Sequence, residues 1–372
     1  MEDFFMKKKI YQRKDGRFEA RVSLGKNSEG KYQYKSVYGR TYMDCLQKLA
    51  VLFPEEDKTS RNFSITYKEV CEMWIYSINA CRKQSTLSRY HYVLQKHLIP
   101  AFGNYLIIDI NDNIINDFIR ELSNKKIGKD KTLSSSSVRN ITIVLKTSLA
   151  FAEKKFNLNI LSKGIQLTKV KRTQQIISDD NWKLLRKRLK DDFSKTSVAI
   201  SLAVHMGMRI GEICALKRKD IDLENKLIYV QRTVQRIYNH KGKSKTYLSL
   251  GEPKSFSSRR VIPIPDILFD KIAYFSIGTK AEDFILGVTY NRALDPRTLQ
   301  YRFYKFLKKN NIDIINFHQL RHKFAGSYIE RRFDVKSLSE ILGHSNVSIT
   351  LNYYVHPTIA FKRRQINLLA KD

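Results

Sequence analysis

The stretch His205-Met206-Gly207-Met208-Arg209-Ile210-Gly211-Glu212-Ile213-Cys214-Ala215-Leu216 sets the reading of the whole chain. Gly207 marks a turn into a helix, and Arg209 and Glu212, three residues apart, fall on one helical face. Alone, such a pair is an ordinary surface ion pair. Clusters further along the chain give it weight. Pro253-Lys254-Ser255-Phe256-Ser257-Ser258-Arg259-Arg260-Val261-Ile262-Pro263 places Lys254 at a hairpin turn between strands, where a lone lysine is normally just solvated. Phe317-His318-Gln319-Leu320-Arg321-His322-Lys323-Phe324 puts His318 and Arg321 on one helix face, with Leu320 and Phe324 turned inward. Leu342-Gly343-His344-Ser345-Asn346 comes next, then Thr350-Leu351-Asn352-Tyr353-Tyr354-Val355-His356-Pro357. By itself the segment 335–354 passes as a helix-turn-helix pivoting at Gly343, a binding element rather than a catalytic one.

Working outward, residues 177–372 are mainly helical. Ser178 caps a helix with Trp182, Leu185 and Leu189 inward, and a β-rich insert near 225–265 holds strand-like runs at 227–238, 246–250 and 260–263. The preceding segment, 162–176, carries Lys163, Lys169, Lys171 and Arg172 with no acid, suiting a tether or a track along phosphates. Residues 62–161 read as a four-helix block. Thr66 and Glu69 make a capping box; Ser85 opens a second helix stopped by Pro100 and Gly103; Asn111 and the serine run 134–137 open the third and fourth. Residues 1–54 read as a small three-stranded sheet, with clear runs at 18–24 and 32–38, and a helix at 41–53. In it Arg13, Lys14, Arg17, Arg21, Lys31, Lys35 and Arg40 are interleaved with Tyr11, Phe18, Tyr32, Tyr34 and Tyr38. A basic, aromatic sheet suits a DNA groove; the plainer reading is a solvated sheet whose aromatics pack on the helix.

Charge narrows the class. With 68 Lys+Arg against 36 Asp+Glu, the formal net charge is +32, which calls for a polyanion, nucleic acid before an anionic membrane. No apolar run reaches the roughly 18 residues of a membrane span, and the first residues lack a signal-peptide core, so no membrane partner and a cytoplasmic location are expected. Cys45, Cys71, Cys81 and Cys214 have no zinc-ligand spacing; reduced thiols and no metal are expected.

Taken together, the clusters resemble the tyrosine recombinase (phage integrase) family. Its pattern is an Arg in a G-x-R-x-x-E box, a hairpin Lys, an H-x-x-R box, an L-G-H-S box and a Tyr about ten residues later. All five occur in order between 205 and 356. Met206, Arg218 and Ser255 depart from the common pattern without removing a reacting group.

The resemblance implies a multidomain, mainly α fold with small β-sheets: an arm-type DNA-binding domain (1–54), a core-type helical DNA-binding domain (62–161), a basic linker (162–176) and a catalytic domain with a C-terminal tail (177–372). The layout is similar to integrases of conjugative transposons and related phages. The implied catalytic set is Arg209, Lys254, His318, Arg321, His344 and the nucleophile Tyr354, with Glu212 supporting and no cofactor. Spacing from His344 permits Tyr353 as well; the Y-x-H ending at Tyr354-Val355-His356 favours Tyr354. The implied partners are double-stranded DNA attachment sites, a homotetramer on DNA and an accessory excision factor. The tail 358–372 is expected to dock on its own domain or on a neighbouring protomer. Two other classes stay open, a type IB topoisomerase-like enzyme and a DNA-binding regulator without catalysis.

Overall fold

The computed structural model describes residues 9–13, 15–26, 30–41, 44–45, 48, 65–127, 131–158, 165, 177–239, 242, 244–253, 256–287, 289, 291–331, 333–354, 363, 366–367 and 370. The chain divides into two compact units, Met1–Ile65 and Thr66–Asp372.

In the first unit β1 (Lys9–Gln12), β2 (Phe18–Lys26) and β3 (Tyr32–Gly39) form an antiparallel sheet in sequence order. Alternation sorts the side chains onto two faces. Ala20, Val22 and Val37 bury on one face with Cys45, while Tyr11, Glu19 and Tyr38 stand in cross-strand register on the other. The expected runs at 18–24 and 32–38 lie within β2 and β3, and β1 supplies the third strand of the expected three-stranded sheet. The expected helix at 41–53 lies largely outside the described residues.

The second unit begins with the helical block. Thr66 caps α1 (Tyr67–Ile78) through the capping box with Glu69. The next helix starts at Gln84, with Lys83 rather than Ser85 at its border: α2 (Gln84–Val93) passes through a π-turn at Leu94–Leu98 into α3 (Ile99–Phe102). The helix ends at Phe102 with Gly103 at its cap, as expected, and Pro100 lies inside its last turn. The wide turn before it relaxes the hydrogen-bond ladder that a proline would otherwise break, and the helix runs on to Gly103. Asn111 caps α4 (Asp112–Asn124), and after the short hairpin β4 (Lys126–Ile127) and β5 (Lys131–Thr132), Ser134 caps α5 (Ser135–Phe156). Helix α1 lies along α5, with the Tyr67 hydroxyl 2.7 Å from Ser148 Oγ in the core.

Beyond 176 the core is built around α7 (Lys195–Met206). Its residues Val198 to Val204 are all buried, as a helix enclosed on every side requires. It is flanked by α6 (Asp179–Lys190), and α8 (Ile210–Cys214) follows it. Each Leu or Phe fully buried here contributes roughly 1.5–3 kcal/mol. The β-rich insert is two sheets rather than one. β6 (Ile221–Asp222), β7 (Leu227–Val230) and β10 (Arg260–Pro263) form the first; β8 (Thr233–Tyr238) and β9 (Thr246–Gly251) form a separate hairpin. The run 227–238, read as one strand, thus changes sheet at Gln231 and Arg232. Helices α9 (Asp266–Ser276), α10 (Pro296–Lys309), α11 (His318–Glu330), α12 (Val335–Leu342) and α13 (Val347–Tyr354) complete the unit.

The helical block meets the second hairpin directly. Ser88 Oγ donates to the Tyr238 carbonyl at 2.9 Å, the Tyr238 hydroxyl donates to Gln95 at 2.8 Å, and Lys83 Nζ donates to the Pro253 carbonyl at 2.7 Å. Apart from Ile165, the linker segment 162–176 lies outside the described residues, as does most of the tail 358–372.

Candidate active site

Three distant segments converge on the C-terminal end of α12. Gly207 ends α7 in the left-handed conformation (φ 62°), turning the chain so that Arg209 becomes the N-cap of α8. Arg209 and Glu212 are therefore not neighbours on a helix face, as the spacing suggested. They are joined as a cap: the Arg209 backbone N–H donates to Glu212 Oε2 at 3.0 Å and Nη1 to Oε1 at 2.7 Å. A Cβ on Gly207 would lie 2.6 Å from the Phe324 ring, so the α11 helix packs where only glycine fits.

Arg321, one turn into α11 and 2% exposed, reaches across to this loop. Its Nη1 donates to the Gly207 carbonyl at 2.7 Å and its Nη2 to the Leu342 carbonyl at 2.6 Å. Nη2 also stands 3.1 Å from His344 Nε2. A guanidinium has no lone pair, so Nε2 must accept and Nδ1 carries the proton, which it gives to Thr350 Oγ1 at 2.8 Å. Arg209 Nη2 donates to the Gly343 carbonyl at 3.2 Å and a third of its side chain is exposed. Arg209, Arg321 and His344 are thus brought together, with an open side at Arg209.

The electrostatics follow from this crowding of guanidinium groups. Burial, then the charges of Arg321, Arg209 and Arg260, push His344 down to about 4, so it is neutral at pH 7. His318 is shifted the same way by burial, His322, Arg321 and Arg209. Because His318 is an exposed residue, solvent eases the effect there. Its ring sits edge-on to His322 with centroids 4.6 Å apart. Burial alone would raise Glu212, but the Arg260 charge and hydrogen bonds, with Arg209, hold it at about 2. Glu212 is thus an anion clamped by two guanidinium groups. Two fixed cations, two neutral imidazoles and an open side can hold a phosphodiester and pass a proton.

The remaining expected residues divide. Lys254 lies outside the described residues; the Pro253 carbonyl just before it accepts from Lys83 Nζ at 2.7 Å. Tyr354 is the last residue of α13, with Tyr353 before it; the choice between their side chains lies outside the described residues. Sequence reasoning gave Arg260 no role. It is 5% exposed and bonds both oxygens of Glu212, at 3.0 and 2.8 Å. The available signal was its place in β10: it alternates with Ile262, the buried position, while Val261 is exposed. An arginine facing inward needs a buried carboxylate, and the sequence did not say which.

In the first unit, Arg21 stacks over Tyr34 at 4.3 Å, and Arg13 over Tyr38 at 5.5 Å while paired to Glu19 at 2.8 Å. Arg17 pairs with Asp15 at 2.8 Å. Lys31, Lys35 and Arg40 are exposed. Lys14, Lys169, Lys171 and Arg172 lie outside the described residues. Among the described residues no group of three or more His, Cys, Asp or Glu could hold a metal ion, and no helix is long and apolar enough to cross a membrane.

Comparison with known proteins gives concordant matches. The model of the phage integrase family matches residues 175–360, and that of the phage integrase N-terminal SAM-like domain matches residues 66–123. A tyrosine recombinase XerC-like protein of Caldanaerobacter subterraneus subsp. tengcongensis is 26% identical over 381 residues, covering 94% of this chain and 95% of that protein. The transposase from transposon Tn916 of Enterococcus faecalis is 24% identical over 198 residues, covering 48% of this chain; the chain spans about half of that relative, 47%. The solved structure of the Tn1549 transposon integrase in complex with a circular intermediate DNA has a TM-score of 0.67 at 21% identity, covering 82% of this chain and 100% of that one. At that identity the likeness is one of fold.

Proposed function

This chain belongs to the phage integrase family and is a tyrosine site-specific recombinase, and from that premise we propose how its residues divide the work. The observation that carries the reading is the convergence of Arg209, Arg321 and His344 on the end of α12, one short helix before Tyr354.

Arg209 and Arg321 hold the two non-bridging oxygens of a DNA phosphodiester, where fixed guanidinium charge stabilises the doubly anionic transition state. The Tyr354 oxygen attacks phosphorus and its proton passes to His318, neutral at pH 7, while His344, held between Arg321 and Thr350, completes the cage. The 5′-oxygen leaves with a proton from Lys254. The product is a 3′-phosphotyrosine and a free 5′-hydroxyl. Attack by a 5′-hydroxyl of a partner strand reverses the step, so the bond energy is kept and the scheme needs no metal or nucleotide. Glu212 touches no substrate; it holds Arg209 in place.

The substrate is double-stranded DNA at attachment sites of a mobile element, for integration and excision, and the working form is a tetramer on DNA in the cytoplasm. Residues 1–54 serve as the arm-type module, reading DNA with the Arg21–Tyr34 face, and an accessory excision factor meets the complex. Residues 62–161 and 177–372 close on the duplex from opposite sides, joined by 162–176. The test is trapping on a nicked duplex carrying a candidate attachment site, read as a covalent adduct on a denaturing gel. Wild type and Tyr353→Phe should give the adduct and Tyr354→Phe should not. A wild-type chain that binds this DNA and forms no adduct would turn the reading to a DNA-binding regulator.

A further inference from the structure

Three consecutive carbonyls end α12, those of Ile341, Leu342 and Gly343, and each accepts from a different arginine. Arg260 Nε donates to Ile341, Arg321 Nη2 to Leu342 and Arg209 Nη2 to Gly343. The last carbonyls of a helix lack partners within it and carry its negative end, so a guanidinium is a fitting cap. Two of these arginines belong to the phosphate site proposed above. The third does not face it. Arg260 spends its donors inside the protein: Nε on Ile341, Nη1 on the Ser258 carbonyl at 3.1 Å and on Glu212 Oε1, Nη2 on Glu212 Oε2. Its side chain is 5% exposed. Arg321 is buried as well, but its donors go to the Gly207 and Leu342 carbonyls and to His344, whereas Arg260 puts two on the carboxylate of Glu212.

Glu212 is shared. Its Oε1 accepts from Arg209 Nη1 and Arg260 Nη1, its Oε2 from the Arg209 backbone N–H and Arg260 Nη2. Without Arg260, half of those donors vanish, and the carboxylate charge falls wholly on Arg209, where it competes with a phosphate for the same guanidinium. The α12 end would also lose one of its three anchors, and His344 follows that end directly. Gly343 records how close the fit is: in its left-handed turn (φ 64°), a Cβ would lie 3.0 Å from Arg260 Cδ.

We infer that Arg260 is a positioning residue for strand cleavage, holding Glu212 and the α12 end so that Arg209 and His344 meet the same phosphate. The inference rests on the phosphate-site reading above. Arg260 touches no DNA, so it should act on the rate and not on affinity.

The test compares single-turnover adduct formation by full-length wild type, Arg260→Gln and Arg260→Lys at saturating nicked duplex. One duplex carries a normal scissile phosphate and the other a methylphosphonate, which lacks one non-bridging oxygen and its negative charge. On the phosphate, Arg260→Gln should be slower by about 100-fold, in the range for loss of one preorganised donor. Arg260→Lys, which keeps the charge without the fork, should be slower by about 10-fold. On the methylphosphonate the same variants should fall within about threefold of wild type, because less charge is left for Arg209 to meet. Binding to either duplex should change by less than about threefold. Equal losses on both duplexes would show a general structural role and overturn the inference, as would full activity of either variant on the phosphate. A wild type that binds but forms no adduct would overturn the phosphate-site reading, and the inference with it.

Discussion

Replacing Glu212 by Gln removes the buried carboxylate that Arg209 and Arg260 share. Glu212 is 3% exposed and Arg260 5%, so neither water nor a surface ion can take over. The carboxyl is held at about 2 against an ordinary value of 4.5, and at about 1.4 kcal/mol for each pH unit this makes its ionised form worth about 3 kcal/mol to the folded state at neutral pH. The cost of breaking a buried pair by removing one partner, about 3–5 kcal/mol, points to the same size. Gln keeps one acceptor but turns an N–H toward the Arg260 fork, so little is recovered. A loss of about 3 kcal/mol in a folded unit this large lowers the melting temperature by about 6–12 °C. Thermal unfolding of the full chain at pH 7, followed by circular dichroism, reads this directly. The sign with pH is fixed as well. Because the folded value is depressed, the stabilisation is complete above about 4.5 and fades as pH falls toward about 2, so variant and wild type should converge in acid. A Glu212→Gln chain melting within about 1 °C of wild type at pH 7 would refute the account of this clamp.

Three further outcomes are expected. Thr350→Val removes the acceptor of His344 Nδ1–H; it should cost about 1 kcal/mol and slow single-turnover cleavage about tenfold, and an unchanged cleavage rate would show that this bond does not orient His344. His344 is depressed to about 4 from 6.5, so the folded chain should lose stability as pH falls from 6.5 toward 4, by about 2 kcal/mol after allowance for its partial exposure; His344→Gln should flatten that part of a denaturant-midpoint-against-pH curve, and a curve of unaltered slope would contradict the shift. Arg21→Ala in the arm-type sheet should reduce the slope of log K against log salt by about 1 for arm-site DNA, whereas an unchanged slope would remove Arg21 from the phosphate contacts.

What the sequence disclosed depended on whether an interaction was local. The Thr66–Glu69 capping box and the helix starts at Ser134 and Ser178 are statements about three or four adjacent residues, and all were readable. Gly103 marks the stop of the second helix, but the π-turn at Leu94–Leu98 that lets Pro100 sit within it has no composition of its own. The run 227–238 looked continuous because alternation persists across Gln231 and Arg232 while the pairing partner changes from β10 to β9. At the site, the residue types were visible and their bonds were not. Arg209 and Glu212 were seen as a pair, but the cap that joins them requires Gly207 to turn the chain first. Arg260 could not be given a role, since its partners Glu212 and Ile341 lie 48 and 81 residues away. Its contribution is a tertiary one, and local pattern carries no trace of which carboxylate a buried arginine will meet.

The most direct measurement is to map the attachment point. Wild-type chain would be trapped on nicked duplex, digested with protease and nuclease, and the nucleotide-bearing peptide sequenced by mass spectrometry. A single modified residue is expected, Tyr354, joined through its oxygen to a 3′-phosphate. A modification on Tyr353, a 5′ linkage, or attachment at any other side chain would contradict it.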